Sequence, residues 1–278
     1  MGGIFPEKEK LDEIARWQGQ IVDGFGVIGP EYVRHRLRRR QLDAWFEKQV
    51  KAARAGDLDV PAGSPFRQML DHVDADGRPL SDRTTAVEVQ NVIRPTIATA
   101  RFAAFAAKAL HENPAWREKI RTEALERGVT WDGPVAEAFA EEVRRYYPFV
   151  PLLPSVARTD FEHQGIEVKK GDRVLVDIYG SMRDPEYWDH PETFDPARFL
   201  ETEMQHSEVF VPQGGADVNT GHRCPGEIIV VGLLALTVAE LSVREWTVPP
   251  QDLDYSMSRL PALPADGVKL AGMSSPGR

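Results

Sequence analysis

The chain holds a single cysteine, Cys224, in the turn Gly221-His222-Arg223-Cys224-Pro225-Gly226-Glu227, directly before an apolar stretch that reads as a helix. With Pro225 as a first-turn proline, the sulfur is expected at the helix N-terminus, where unpaired N–H groups and the macrodipole favour a thiolate. Gly221 and Gly226 let other groups approach the backbone closely. Such a sulfur suits nucleophilic catalysis or soft-metal ligation; the plain alternative is an inert buried thiol. A Cys–His hydrolase needs a histidine facing the sulfur, whereas His222 lies two residues away in the same tight turn, which favours ligation over attack.

Three other groupings carry possible chemistry. Glu142-Val143-Arg144-Arg145, followed by Tyr146-Tyr147-Pro148, places Glu142 and Arg145 three apart on one helix face; on a surface such a pair contributes only about 0.2–0.5 kcal/mol. Phe194-Asp195-Pro196-Ala197-Arg198-Phe199 precedes the cysteine turn. Midway along a long helical pattern stands Arg94-Pro95. Pro95 removes a helix N–H and clashes with the preceding turn, which predicts a kink that opens the helix at its centre. Arg94, flanked by Val92, Ile93 and Ile97 on a helix expected to be buried, needs an anion to offset its desolvation. Its planar fork matches a carboxylate, either of an internal Asp or Glu or of a ligand.

The elements that must position these groups are mostly helical. Patterns run from Glu7 to Gln20, from Pro30 to about Ala55, from Ser81 to Leu110, from Asn113–Pro114 to near Gly128, from Pro134 to Tyr147 and from Pro225 to Leu241. The second carries Arg34, Arg36, Arg38, Arg39 and Arg40, a run read as a solvated helix face. Gly56 to Pro65 and Asp74 to Pro79 read as loops. Extended pieces are expected at Ser155–Thr159, Ile166–Val168 and Arg173–Tyr179, the last after a Lys169-Lys170-Gly171-Asp172 turn, and near Glu245–Val248 and Val268–Leu270. The class is mainly α with small β-sheets.

Composition narrows the function. The 278 residues carry 34 basic against 43 acidic side chains, a net charge of −9, which argues against nucleic-acid binding. One cysteine excludes an intramolecular disulfide and a four-cysteine zinc site, and points to a reducing compartment. The first residues are charged and lack an apolar signal core, and Pro6 breaks the myristoylation pattern. The longest apolar stretch, Ile228–Ala239, falls short of the ~20 residues of a membrane helix. A cytoplasmic protein without a membrane span is expected.

Glu-x-x-Arg, then Phe-x-Pro-x-Arg-Phe, then His-x-Cys-x-Gly, in this order and spacing, resembles the cytochrome P450 superfamily. The resemblance implies that fold, with residues 1–278 corresponding to the C-terminal two-thirds of a single haem-thiolate domain that lacks its N-terminal part. It implies that Cys224 is the proximal thiolate ligand to the iron of haem b, aiding O–O cleavage, and that His222 bonds a haem propionate. It gives Glu142, Arg145 and Arg198 a structural role, tying the segment before the cysteine turn to the helical core. The chain departs from the pattern at Asp217, where a Phe is usual, and Gln213 lies near the place of that Phe in a loop read as carrying an insertion.

Where ordinary members carry an acid–alcohol pair for proton delivery, this chain has Arg94-Pro95. With Val-Ile-Arg-Pro, Glu-Val-Arg-Arg-Tyr-Tyr-Pro-Phe and Gly-His-Arg-Cys-Pro-Gly-Glu, this resembles the fatty-acid peroxygenase branch. The branch implies a fatty acid whose carboxylate is anchored by Arg94 and itself serves as the acid–base group toward hydrogen peroxide. Hydroxylation at the α or β carbon, or decarboxylation to a terminal alkene, would follow without a redox partner. Phe149, Val150 and Leu152 match a segment that often lines the substrate pocket, and read equally well as core. The alternatives are a reductase-dependent monooxygenase, an internal carboxylate or propionate as the partner of Arg94, and a haem-binding chain without catalysis.

Overall fold

The computed structural model describes residues 8–26, 29–202 and 204–274. The chain divides between Ala100 and Arg101 into two compact units. In the first, α1 (Lys8–Asp23), α2 (Pro30–Ala55), α3 (Pro65–Asp71) and the start of α4 (Asp82–Glu112) enclose a core of Ile14, Leu42, Phe46, Val50, Phe66 and Val89. The expected start of α1 at Glu7 lies outside the described residues, and the helix runs three residues beyond Gln20. Gly56 ends α2 in the left-handed region at φ 84°, its N–H returning to the Ala52 and Ala53 carbonyls. Helix α3 was not expected, although its signal is local. Ser64 accepts from the Arg67 N–H at 3.2 Å, and Pro65 follows at the first helical position.

Helix α4 continues through Pro95, which removes one backbone donor from it. The side chain of Thr99 donates to the Pro95 carbonyl at 3.1 Å. Ser81 caps the start of α4 through the Thr84 N–H. Asn113 precedes Pro114 as a helix cap would, yet its side chain does not cap α5 (Pro114–Arg127); it donates to the Ala109 carbonyl at 2.9 Å and so closes the end of α4.

In the second unit, the last part of α4 joins α5, α6 (Pro134–Tyr146) and α9 (Glu227–Val243) around Phe102, Phe105, Leu110, Ile120, Phe139, Leu234 and Val238. Helix α9 starts at Glu227, with Gly226 as its cap residue. The expected start at Pro225 is therefore corrected: Cys224 stands two residues before the cap, beyond the first turn where the helix dipole acts most strongly.

Two antiparallel hairpins follow α6. Strand β1 (Leu152–Val156) pairs with β4 (Arg173–Asp177), and β2 (Phe161–His163) with β3 (Ile166–Val168). Strand β1 begins three residues before the expected segment. Pro154, which argues against a strand interior, is tolerated in it opposite Leu175 because the pair has no third strand beside it. The β4 segment stops at Asp177, whose side chain caps a one-turn helix α7 (Ile178–Ser181) through the Gly180 N–H. A further turn, α8 (Arg198–Glu201), belongs to a satellite core of Met182, Trp188, Phe199 and Phe210. The strands expected near Glu245–Val248 and Val268–Leu270 reduce to one bridge, Thr247 with Ala271.

Phe105 is fully buried, and its ring stacks on Tyr147 at 4.7 Å between centroids. Phe105→Ala is expected to cost about 3–5 kcal/mol of stability, measured as a fall in the urea unfolding free energy.

Candidate functional site

Helix α6 places two adjacent acidic residues, Glu141 and Glu142, one turn before two adjacent arginines, Arg144 and Arg145, and all four are buried. Arg145 holds Glu142 bidentately, through Nε to Oε2 and Nη2 to Oε1, each at 2.7 Å. Oε1 also accepts the Asp195 N–H at 2.8 Å, and Arg198 Nε stands 3.3 Å from Oε2. The remaining donors of Arg145 go to the carbonyls of Met182, Pro191 and Thr193. Arg198 donates to the carbonyls of Asp189 and Thr193. Glu142, Arg145 and Arg198 thus meet at one point, and the irregular segment from Met182 to Arg198 hangs from it. Burial pushes the Glu142 carboxyl upward, opposed by Arg145, the Asp195 N–H and Arg198.

The cysteine turn is closed by its own backbone. Cys224 N–H donates to the Gln213 carbonyl at 2.9 Å, His222 N–H to Gly215 at 3.1 Å, and Gly221 N–H to Asp217 at 2.8 Å. Gly214 has φ +94°, and a β-carbon there would fall 1.9 Å from the His222 carbonyl oxygen, so only glycine fits the crossing. Asp217, the departure from the usual Phe, caps a turn: the N–H groups of Asn219 and Thr220 hold its carboxylate below its ordinary pKa. Cys224 is a free, half-buried thiol. It lines a cavity of about 420 Å³ with Trp131, Ile228 and Val231. His222 is exposed and lines a separate cavity of about 500 Å³ with Leu153, Val176, Val209, Val211 and Gly214.

Arg94 lies in the first unit, half-buried on α4. Its Nη1 makes one long bond to Asn91 Oδ1 at 3.3 Å, while Nε and Nη2 are buried without a hydrogen-bond partner among the described residues. The nearby carboxylate, Asp43, is already engaged by Arg39 Nε and Gln90 Nε2, both at 2.9 Å. Burial lowers the pKa of Arg94, Arg39 adds to that, and Asp43 opposes it. Phe149 stacks on Phe102 at 4.5 Å between centroids and packs against the main core, Val150 is half-buried, and Leu152 opens β1 with an exposed side chain.

Residues 69–229 match the family described as Cytochrome P450, and the chain belongs to that family. It is 29% identical over 249 residues to cytochrome P450 4A14 of Rattus norvegicus, covering 84% of this chain and 47% of that protein. It is 33% identical over 133 residues to cytochrome P450 71A8 of Mentha piperita, covering 46% and 26%. The chain therefore spans less than half the length of these relatives. Among solved structures it is similar to cytochrome P450SP alpha (CYP152B1) in complex with (R)-ibuprophen, at a TM-score of 0.86 and 34% identity, covering 99% of this chain and 66% of that one. Ligand-free cytochrome P450 OleT gives 0.86 and 33%, covering 98% and 64%.

The family's cofactor is haem iron, and the donors present fit it. Among the described residues no group of three or more His, Cys, Asp or Glu side chains could hold a bare metal ion. Cys224 offers one thiolate, and a porphyrin-bound iron with an axial thiolate asks the protein for no more than that.

The other half of the doubled pattern on α6 carries a second cluster that the family motif does not include. Fully buried Arg144 pairs with Glu141 and with Glu227 of α9, and its Nε donates to Gln213 Oε1 at 3.1 Å. The signal was present in Glu-Glu-x-Arg-Arg, where two pairs share the same three-residue spacing. Arg145→Ala leaves Glu142 buried without its bidentate partner, which should cost about 3–5 kcal/mol. Arg145→Lys recovers only part, because an ammonium cannot reproduce the fork. Denaturant titration of both variants checks the order.

Proposed function

We propose that the protein is a haem-thiolate peroxygenase that uses hydrogen peroxide to oxidise fatty acids at the carbons next to the carboxylate. The observation that carries the reading is the open edge of Arg94. Its Nε and Nη2, buried and unpartnered, form the same fork with which Arg145 grips the Glu142 carboxylate. A ligand carboxylate there removes the cost of a buried, half-bonded guanidinium. Two structural neighbours support the ligand class: a variant of cytochrome P450 OleT is described in complex with arachidonic acid, and cytochrome P450EX alpha (CYP152N1) with myristic acid.

Cys224 would ligate the haem iron, with His222 donating to a propionate, and the bound group supplies activation of the peroxide O–O bond, which thiolate donation favours. Arg94 binds the substrate carboxylate and keeps it ionised. Anchoring that end makes the α and β carbons the ones presented for oxidation. Positions 94 and 95 offer no acid–alcohol pair, so the substrate carboxylate carries the peroxide proton from one oxygen to the other, and the departing oxygen leaves as water. Hydroxylation then consumes one peroxide and returns the hydroxy acid and one water. Decarboxylation consumes one peroxide and returns a terminal alkene, carbon dioxide and two waters. Peroxide supplies the oxidising equivalents in both cases, so no reductase is required. A cytoplasmic location belongs to the same proposal; no described helix is long and apolar enough to cross a membrane.

Arg94→Ala should lower peroxide-driven oxidation of a fatty acid about a hundredfold or more, as expected for losing a buried charge pair worth about 2–5 kcal/mol. The haem absorption spectrum should be unchanged. Undiminished turnover in the variant, or turnover in the parent protein only with a reductase and reduced nicotinamide, contradicts the proposal.

A further inference from the structure

The two backbone groups of Cys224 are both held by residues whose side chains converge on one guanidinium. Cys224 N–H donates to the Gln213 carbonyl, and Cys224 C=O accepts from the Glu227 N–H at 3.2 Å. The Gln213 side chain accepts from Arg144 Nε at 3.1 Å, and the Glu227 carboxylate pairs with Arg144 Nη2. The other Glu227 oxygen takes Arg223 Nε at 2.5 Å, and Arg223 Nη2 donates to the Gln205 carbonyl at 3.1 Å. Arg144 is itself fixed: it is 1% exposed, pairs with Glu141 through Nη1, and its guanidinium lies 5.2 Å from the centroid of the Phe210 ring.

We propose that Arg144 is the positioning residue for Cys224, setting the place of Sγ through Gln213 and Glu227, with Arg223 completing the clamp. The role is distinct from that of Arg145, whose donors go to Glu142 and to the carbonyls of Met182, Pro191 and Thr193. It rests on the haem-thiolate part of the reading above and is independent of Arg94. The physical reason is orientation. Sγ hangs from one rotatable bond on a backbone fixed at its N–H and its C=O, and a ligand's donor strength depends on groups that hold it from behind. An ion cluster that only tied α6 to α9 would need no bond to Gln213.

Because Cys224 is the sole cysteine, its alkylation by iodoacetamide under native conditions reports on the turn without haem. Gln213→Ala removes one acceptor of Arg144, and Glu227→Gln removes the charge while keeping the shape; Arg144→Lys leaves a donor that cannot reach three acceptors. In the haem-free chain, alkylation is expected to speed up about fivefold for Gln213→Ala, the effect of losing one buried hydrogen bond, with a nearly unchanged unfolding midpoint. In the haem-loaded protein, Gln213→Ala and Arg144→Lys should shift the ferrous–carbonyl Soret band from its thiolate-ligated position, and haem affinity should fall about tenfold or more. Glu227→Asp should restore part of what Glu227→Gln loses. Variants that lose stability yet keep the parent alkylation rate and the parent carbonyl band overturn the proposal and leave a purely stabilising cluster. If the parent chain shows no thiolate-type band, the haem-thiolate reading fails, and the alkylation rates still decide whether Arg144 positions the sulfur.

Discussion

A carboxylate withdrawn from water needs donors for its oxygens, and Glu142 draws them from two segments. Arg145 supplies two of them from the next turn of α6 and the Asp195 N–H a third from more than fifty residues away in sequence, while Arg198 adds its charge at 3.3 Å. The desolvation that makes the site costly also makes it directional. The chain from Met182 to Arg198 contains little regular structure, so its path is fixed by where its carbonyls meet Arg145 and Arg198. Trp188, Phe199 and Phe210 then pack beneath that path. The satellite core follows from the ion pair.

The same requirement explains the doubled charges on α6. Successive residues of a helix point about 100° apart, so Glu141–Arg144 and Glu142–Arg145 are two similar pairs aimed in different directions. One meets the irregular segment, the other the cysteine turn and the first residue of α9. A single helical turn therefore sets both the path into the cysteine turn and the support behind it. This accounts for four fully or nearly buried charges on thirteen residues of helix, an arrangement that a solvated helix would not need.

Legibility in the sequence followed the range of the interactions. Helices α2, α4 and α6 were visible because periodicity, the starting prolines of α2 and α6 and the Ser81 cap of α4 are local signals. The meeting of Glu142, Arg145 and Arg198 came from a resemblance; spacing alone suggested only a weak surface pair. Where a side chain had two equivalent local uses, the sequence did not choose. Asn113 could cap α5 or close α4, and the Ala109 carbonyl took it. Pro225 could open α9, yet the backbone bonds of Cys224 to Gln213 and Glu227 keep the turn going until Gly226. The two C-terminal strands failed for a different reason: alternation is present there, but outside a single bridge no partner strand lies in register.

Arg94 and Arg145 put one guanidinium edge in opposite conditions. In Arg145, Nε and Nη2 are answered by a carboxylate one turn away; in Arg94 the same two atoms are buried and have no acceptor among the described residues, although Asp43 is close enough to affect the charge. Arg39 Nε and Gln90 Nε2 both donate to Asp43 Oδ1, each at 2.9 Å. A guanidinium edge left open in this way is the feature on which the proposed capture of a carboxylate rests. Replacing the acid–alcohol step of the family by Arg94-Pro95 also fits this arrangement. The proline removes a backbone donor from α4 without ending the helix.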